Sequence, residues 1–119
     1  MKQGFISGGK EYLITDMRPV RPLLNYVWNE NQIAAADQCG FGKSTSALGE
    51  LRRTLIDGEE SRLIYIKNMA SGEYYSPNRN FGDLPFDEYY CVVGLNYQKI
   101  VSKYKGLKTE FTITVPEKG

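Results

Sequence analysis

The stretch LKTEFTITV, residues 107–115, alternates along its whole length. Leu107, Thr109, Phe111, Ile113 and Val115 face one way; Lys108, Glu110, Thr112 and Thr114 face the other. A period of two marks a strand with one dry face and one wet face. Such a strand is not stable alone, so the rest of the chain must supply neighbours to cover its apolar side. Turn chemistry indicates where they lie. Lys105-Gly106 joins it to NYQKIVSKY, which is rich in aromatic and β-branched residues. Ala70, Ser71 and Gly72 join RLIYIKN to EYYS, and Gly8-Gly9, free to adopt positive φ, joins GFIS to KEYLITD. LLNYVWN and IAAADQ add two strands around Glu30 and Asn31, and EYYCVVG another before Gly94.

Eight or nine short strands punctuated by glycine turns predict an all-β chain, an antiparallel β-sandwich forming a single domain over residues 1–119. Helical spacing is confined to SALGELRRTLIDG, residues 46–58, where Leu48, Leu51 and Leu55 fall on one side and Gly49 weakens the pattern. That segment reads equally well as a strand, ELRRTLI, so at most one short helix is expected. MRPVRPLL and SPNRNFGDLPFDE read as loops crossing between sheets, because proline cannot donate to a central ladder. With VPEKG directly after the last strand, the chain reads as the front part of a longer protein. The free edge along residues 107–115 is then expected to recruit another copy and make a homo-oligomer.

Fifteen basic residues against fourteen acidic ones leave a net charge of +1, with no basic stripe to attract nucleic acid or anionic lipid. The absence of histidine removes the commonest general base and metal ligand near neutral pH. No metal or cofactor is expected. Cys39 and Cys91 read as reduced, mostly buried thiols of a cytoplasmic protein, and no apolar run approaches the roughly 20 residues that span a bilayer.

CGFGKST, residues 39–45, ends in the Gly-Lys-Ser of an ATP-binding phosphate loop. That loop requires G-x-x-x-x-G-K-[ST], because two glycines let successive backbone N–H groups turn inward around the phosphates. The first glycine position is Asp37, whose carboxylate would repel the anion. Gly40 and Gly42 are therefore expected to shape a turn at a strand end, with Lys43 and Ser44 solvated. Fourteen carboxylates could in principle supply acid–base chemistry, but the pattern singles out no pair. Nine tyrosines, five phenylalanines and one tryptophan give a dense aromatic set, and such rings stack on the C–H faces of sugars. Tyr26 and Trp28 fall on one face of their strand, and the doublets Tyr74-Tyr75 and Tyr89-Tyr90 each point one ring away from the other.

GFISGGKEYLITDMRPVRPLLNYVWNE resembles the opening of the cellobiose phosphorylase family, family 94 of the glycoside hydrolases, formerly glycosyltransferase family 36. CGFG, LRRT, YYSP, YYCVVGLNYQKI and FTITVP follow in the order of that family's motifs, over nearly the whole chain. Departures are Tyr75 for the family's tryptophan before Ser-Pro, Val93 for its histidine before Gly-Leu, and Phe41 set between Gly40 and Gly42. The resemblance implies a parent enzyme that cleaves β-glucosides with inorganic phosphate and inverts the anomeric centre. An aspartic acid would protonate the leaving oxygen while phosphate attacks the opposite face, and both would be held in a helical barrel downstream. This chain would then be part of the N-terminal supersandwich, packed on the barrel beside a dimer contact, and inactive alone. Tyr26, Trp28, Arg52, Arg53, Tyr74 and Tyr75 are its candidate sugar contacts. The alternative is a free-standing carbohydrate-binding or scaffold module.

Overall fold

The computed structural model describes residues 2–48, 51–56, 62–80 and 84–116. Its strands are β1 (Gly4–Ile6), β2 (Glu11–Ile14), β3 (Asn25–Trp28), β4 (Gln32–Ala36), β5 (Gly42–Leu48), β6 (Leu51–Ile56), β7 (Ile66–Lys67), β8 (Tyr74–Tyr75), β9 (Glu88–Val93), β10 (Tyr97–Tyr104) and β11 (Leu107–Thr114). They form a five-stranded sheet ordered β1-β2-β9-β10-β11, a four-stranded sheet ordered β3-β4-β5-β6, and the small hairpin β7-β8. Every described pairing is antiparallel. The all-β expectation holds, and the described residues include a single 3₁₀ turn, Ser7–Gly9, between β1 and β2.

The alternating pattern works as expected at the sheet interface. Ile14, Cys91, Ile100 and Phe111 are register partners across β2, β9, β10 and β11 and make one apolar row. Ile14, Cys91, Ile100, Ile113 and Val115 join Val27, Ala34 and Ala36 of the other sheet and Phe41 of the turn between β4 and β5 in one buried cluster. Burying each large aliphatic chain there contributes roughly 1.5–3 kcal/mol, so this seam holds the two layers together. β10 is flanked by strands on both sides and buried on both faces, with Ile100, Val101 and Ser102 all buried. Leu107 departs from the pattern: it begins β11 at the far end of the sheet and is 48% exposed.

The hairpins joined by Gly8-Gly9, by residues 70–72 and by Lys105-Gly106 are all present, as is the turn between β3 and β4. Lys105 (φ 50°) and Gly106 (φ 83°) take the two left-handed positions that a two-residue hairpin with right-handed twist requires. Of the two readings left open for residues 46–58 the strand is the one found, and the expectation of a solvated Ser44 needs correction. The helical spacing of residues 46–58 is not realised, because its described part runs through β5 and β6, which pair from Ser44↔Ile56 to Leu48↔Leu51; positions 49, 50, 57 and 58 lie outside the described residues. GKSTSAL is a full strand and not the tail of a turn, and Ser44 within it is half-buried instead of solvated. Arg62 explains the difference: its Nη2 donates to Ser44 Oγ at 2.7 Å, giving an inward hydroxyl a partner.

Candidate functional site

The turn between β4 and β5 answers the phosphate-loop question. Asp37 Oδ1 accepts the N–H groups of Cys39 (2.8 Å) and Phe41 (3.0 Å), and Gly40 N–H donates to the Asp37 carbonyl at 2.9 Å. Backbone donors that a phosphate loop would point at an anion are thus used by the loop's own carboxylate. Gly40 (φ 89°) packs against Phe111, Ile113 and Ile100, and a Cβ at Gly42 would lie 2.1 Å from the Ala35 carbonyl oxygen. Both glycines serve close packing. A crossover helix is absent from the described residues, and β4 and β5 are antiparallel, so the nucleotide fold is excluded there.

Beneath this turn lies a polar hub. Asn78 is fully buried; its Nδ2 donates to the carbonyls of Cys39 (2.9 Å) and Arg62 (2.8 Å), while its Oδ1 accepts from Ile64 N–H (3.2 Å) and Ser76 Oγ (3.0 Å). The Tyr89 hydroxyl donates to the Asn78 carbonyl at 3.1 Å and touches Cys39 Sγ at 3.3 Å. Arg62 Nη1 donates to the carbonyls of Ala35 (3.0 Å) and Gly40 (3.1 Å). The stretches CGFG, YYSP and YYC, far apart in the chain, therefore meet at one point. Sequence reasoning missed Asn78 and Arg62; the only signal was the Ser-Pro-Asn turn.

A cleft of about 900 Å³ opens above the hub, between the proline-spaced loop and the β4–β5 turn, with Arg18, Val20, Asp37, Phe41, Lys43 and Arg79 among its lining. Arg79 lies 5.1 Å from the centre of the Phe41 ring, a cation–π contact, and Arg18 Nη2 donates to the Asn80 carbonyl. A second cleft of about 430 Å³ lies between the β7–β8 hairpin and the β10–β11 turn, lined by Asn68, Glu73, Tyr74, Tyr75, Tyr104 and Lys105 with others. Lys105 Nζ and Glu73 Oε2 are 2.9 Å apart at its rim.

The six candidate sugar contacts separate into distinct places. Tyr26 and Trp28 are about half exposed on β3, with Ala35 and Ile33 as their register partners on the open face of the four-stranded sheet. Arg52 and Arg53 are consecutive on β6, paired with Ala47 and Ser46, and Arg53 is exposed. Tyr74 and Tyr75 line the second cleft. Tyr74 is exposed and meets Tyr65 edge-on, whereas Tyr75 packs inward on Phe86 and Tyr104 with centroids 6.1 and 4.9 Å away.

No pair of carboxylates converges in either cleft among the described residues. Among the described residues the lining of each has one carboxylate, Asp37 in the first and Glu73 in the second, whereas glycoside cleavage by side chains uses a pair. Burial raises the Cys39 thiol and pushes Cys91 up to about 12, and burial followed by the neighbouring Cys39 raises the Tyr89 phenol. These groups stay protonated at neutral pH and are poor nucleophiles. Both cysteines are free and buried.

The sequence profile of the family described as "Glycosyl hydrolase 94, supersandwich domain" matches residues 10–119. Solabiose phosphorylase of Paenibacillus borealis is 28% identical over 113 residues, covering 87% of this chain and 14% of that protein. The 3-O-beta-D-glucopyranosyl-beta-D-glucuronide phosphorylase of the same organism is 29% identical over 115 residues, covering 97% of this chain and 15% of that protein. The chain thus spans only about 15% of the length of these relatives.

Proposed function

The chain belongs to the glycosyl hydrolase 94 supersandwich-domain family, and from that premise we propose that it is a non-catalytic N-terminal β-sandwich segment of a glycoside phosphorylase acting on β-glucosides with inorganic phosphate. The family match over residues 10–119 carries this reading, and the single carboxylate among the described lining residues of each cleft supports it. Its role is to pack against the remainder of the enzyme and to contribute to a contact between copies. The direct test is phosphorolysis: the chain alone, given cellobiose and phosphate, is expected to release no glucose 1-phosphate. Unpaired thiols at Cys39 and Cys91 support a reducing, cytoplasmic setting.

The contact between copies is assigned to β11. It is the outer strand of the five-stranded sheet, and its outward edge carries no described strand. Light scattering at rising concentration is expected to show association that Thr112→Pro weakens, since proline removes an edge donor. A chain that stays monomeric throughout would contradict it. A second reading, a free-standing carbohydrate-binding module, is favoured only by the exposure of Tyr26, Trp28 and Tyr74.

A further inference from the structure

We infer that two copies of this chain join along β11 in one register, with a two-fold axis at Thr109, so that Lys108 of each copy lies opposite Glu110 of the other. The inference rests on the assignment of the copy contact to β11 made above, and adds which residues meet and what fixes them.

The backbone sets which groups are on offer. In a two-residue hairpin the closing pair, here Tyr104↔Leu107, exchanges both of its N–H···O bonds, and bonded pairs alternate from there along the antiparallel ladder. Leu107, Thr109, Phe111 and Ile113 therefore direct their N–H and C=O groups to β10, while Lys108, Glu110 and Thr112 turn theirs to the free edge. Side chains follow the same parity. Phe111 and Ile113 pack on the core, and Lys108, Glu110, Thr112 and Thr114 are exposed on the other face. A second antiparallel copy continues both faces of the sheet only if residues of like parity meet, because a slip by one residue exchanges dry for wet. Two identical strands meet this condition when the two-fold axis falls at a residue and not between two.

Charge then separates the registers. Glu110 is exposed and has no ion pair among the described residues; Lys108, with its side chain half exposed, reaches only Glu88, at 3.8 Å. The other charges beside this edge are Lys103 and Lys99, register partners of Lys108 and Thr112, and Lys105 in the turn, which Glu73 engages at 2.9 Å. An axis at Thr109 sets Lys108 against Glu110 twice and brings Leu107, 48% exposed, opposite Phe111 of the other copy. An axis at Lys108 puts that lysine against itself, and an axis at Glu110 puts that carboxylate against itself; like charges directly opposite are unfavourable. With the axis at Phe111 the strands overlap further, but Lys108 and Glu110 then meet only Thr114 and Thr112, and Leu107 runs past the end of the other β11.

Cysteine cross-linking and charge reversal test the register on the folded chain. With the axis at Thr109, the two copies of that residue form a non-hydrogen-bonded pair with Cα atoms roughly 4.5 Å apart, within the span of a disulfide. Thr109→Cys under mild oxidation is expected to give a covalent dimer and Phe111→Cys to give little. Cys39 and Cys91 are buried, so the unaltered chain serves as the uncrosslinked control. Glu110→Lys and Lys108→Glu are each expected to weaken self-association about tenfold, since each turns two attractive contacts into repulsive ones, and the double reversal is expected to recover it. A covalent dimer from Phe111→Cys but not Thr109→Cys, tighter association in Glu110→Gln, or no recovery in the double reversal would overturn the register while the β11 contact stands. A chain that is monomeric at every concentration overturns both.

Discussion

Asn78→Leu is expected to destabilise the fold by about 4 kcal/mol or more, because it strands buried groups at several points at once. The carbonyls of Cys39 and Arg62 lose their donor, and Ile64 N–H and Ser76 Oγ lose their acceptor. Each buried polar group left without a partner costs about 1–3 kcal/mol, and Leu is close to Asn in size, so cavity formation is a minor part. Against a typical total of about 5–15 kcal/mol, this removes a large fraction of the stability. Urea denaturation measures it directly. A loss below about 1 kcal/mol would mean that water reaches these groups and that the hub does not join the motifs.

Gly42→Ala has the second large effect, about 3 kcal/mol or more. Its φ of 154° is one that side chains rarely adopt, and the new Cβ would lie 2.1 Å from the Ala35 carbonyl oxygen and 2.8 Å from its carbon. Both are backbone atoms of the neighbouring strand, which cannot swing aside as a side chain would. β4 and β5 must separate beside the turn that Asp37 closes, where Arg62 bridges Ala35 of one strand to Ser44 of the other. Thermal unfolding is expected to show a fall in Tm of about 10 °C, at roughly 4 °C per kcal/mol for a chain of this size. Gly72→Ala is the contrast: that glycine also has positive φ (77°), but a Cβ there meets nothing within 4 Å, so only backbone strain is felt. Equal effects at the two positions would show that the close approach at Gly42 contributes nothing.

Much of the fold was legible because its strands alternate. LKTEFTITV, KEYLITD and NYVW place their inward residues Ile113, Ile14 and Val27 in the core as the period of two requires, and glycine-bearing turns located the hairpins. GKSTSAL escaped because its inward Ser44 is polar, and the partner that allows this, Arg62, is remote in sequence. The pairing of β2 with β9 was equally hidden, since Ile14↔Cys91 joins segments that no turn connects. At the site, Tyr74 and Tyr75 were legible as aromatics, but their separation from Tyr26 and Trp28 depends on which sheet each strand enters. Asn78 looked like a loop residue; only tertiary packing makes a loop asparagine a buried hub.

In the proposed role these residues build scaffold and leave the reaction to the rest of the enzyme. Phosphorolysis by the isolated chain tests it most directly. With cellobiose and inorganic phosphate, followed by glucose 1-phosphate release beside a full-length phosphorylase as positive control, the account predicts no turnover above the protein-free reaction. Sustained glucose 1-phosphate release that scales with chain concentration would contradict it.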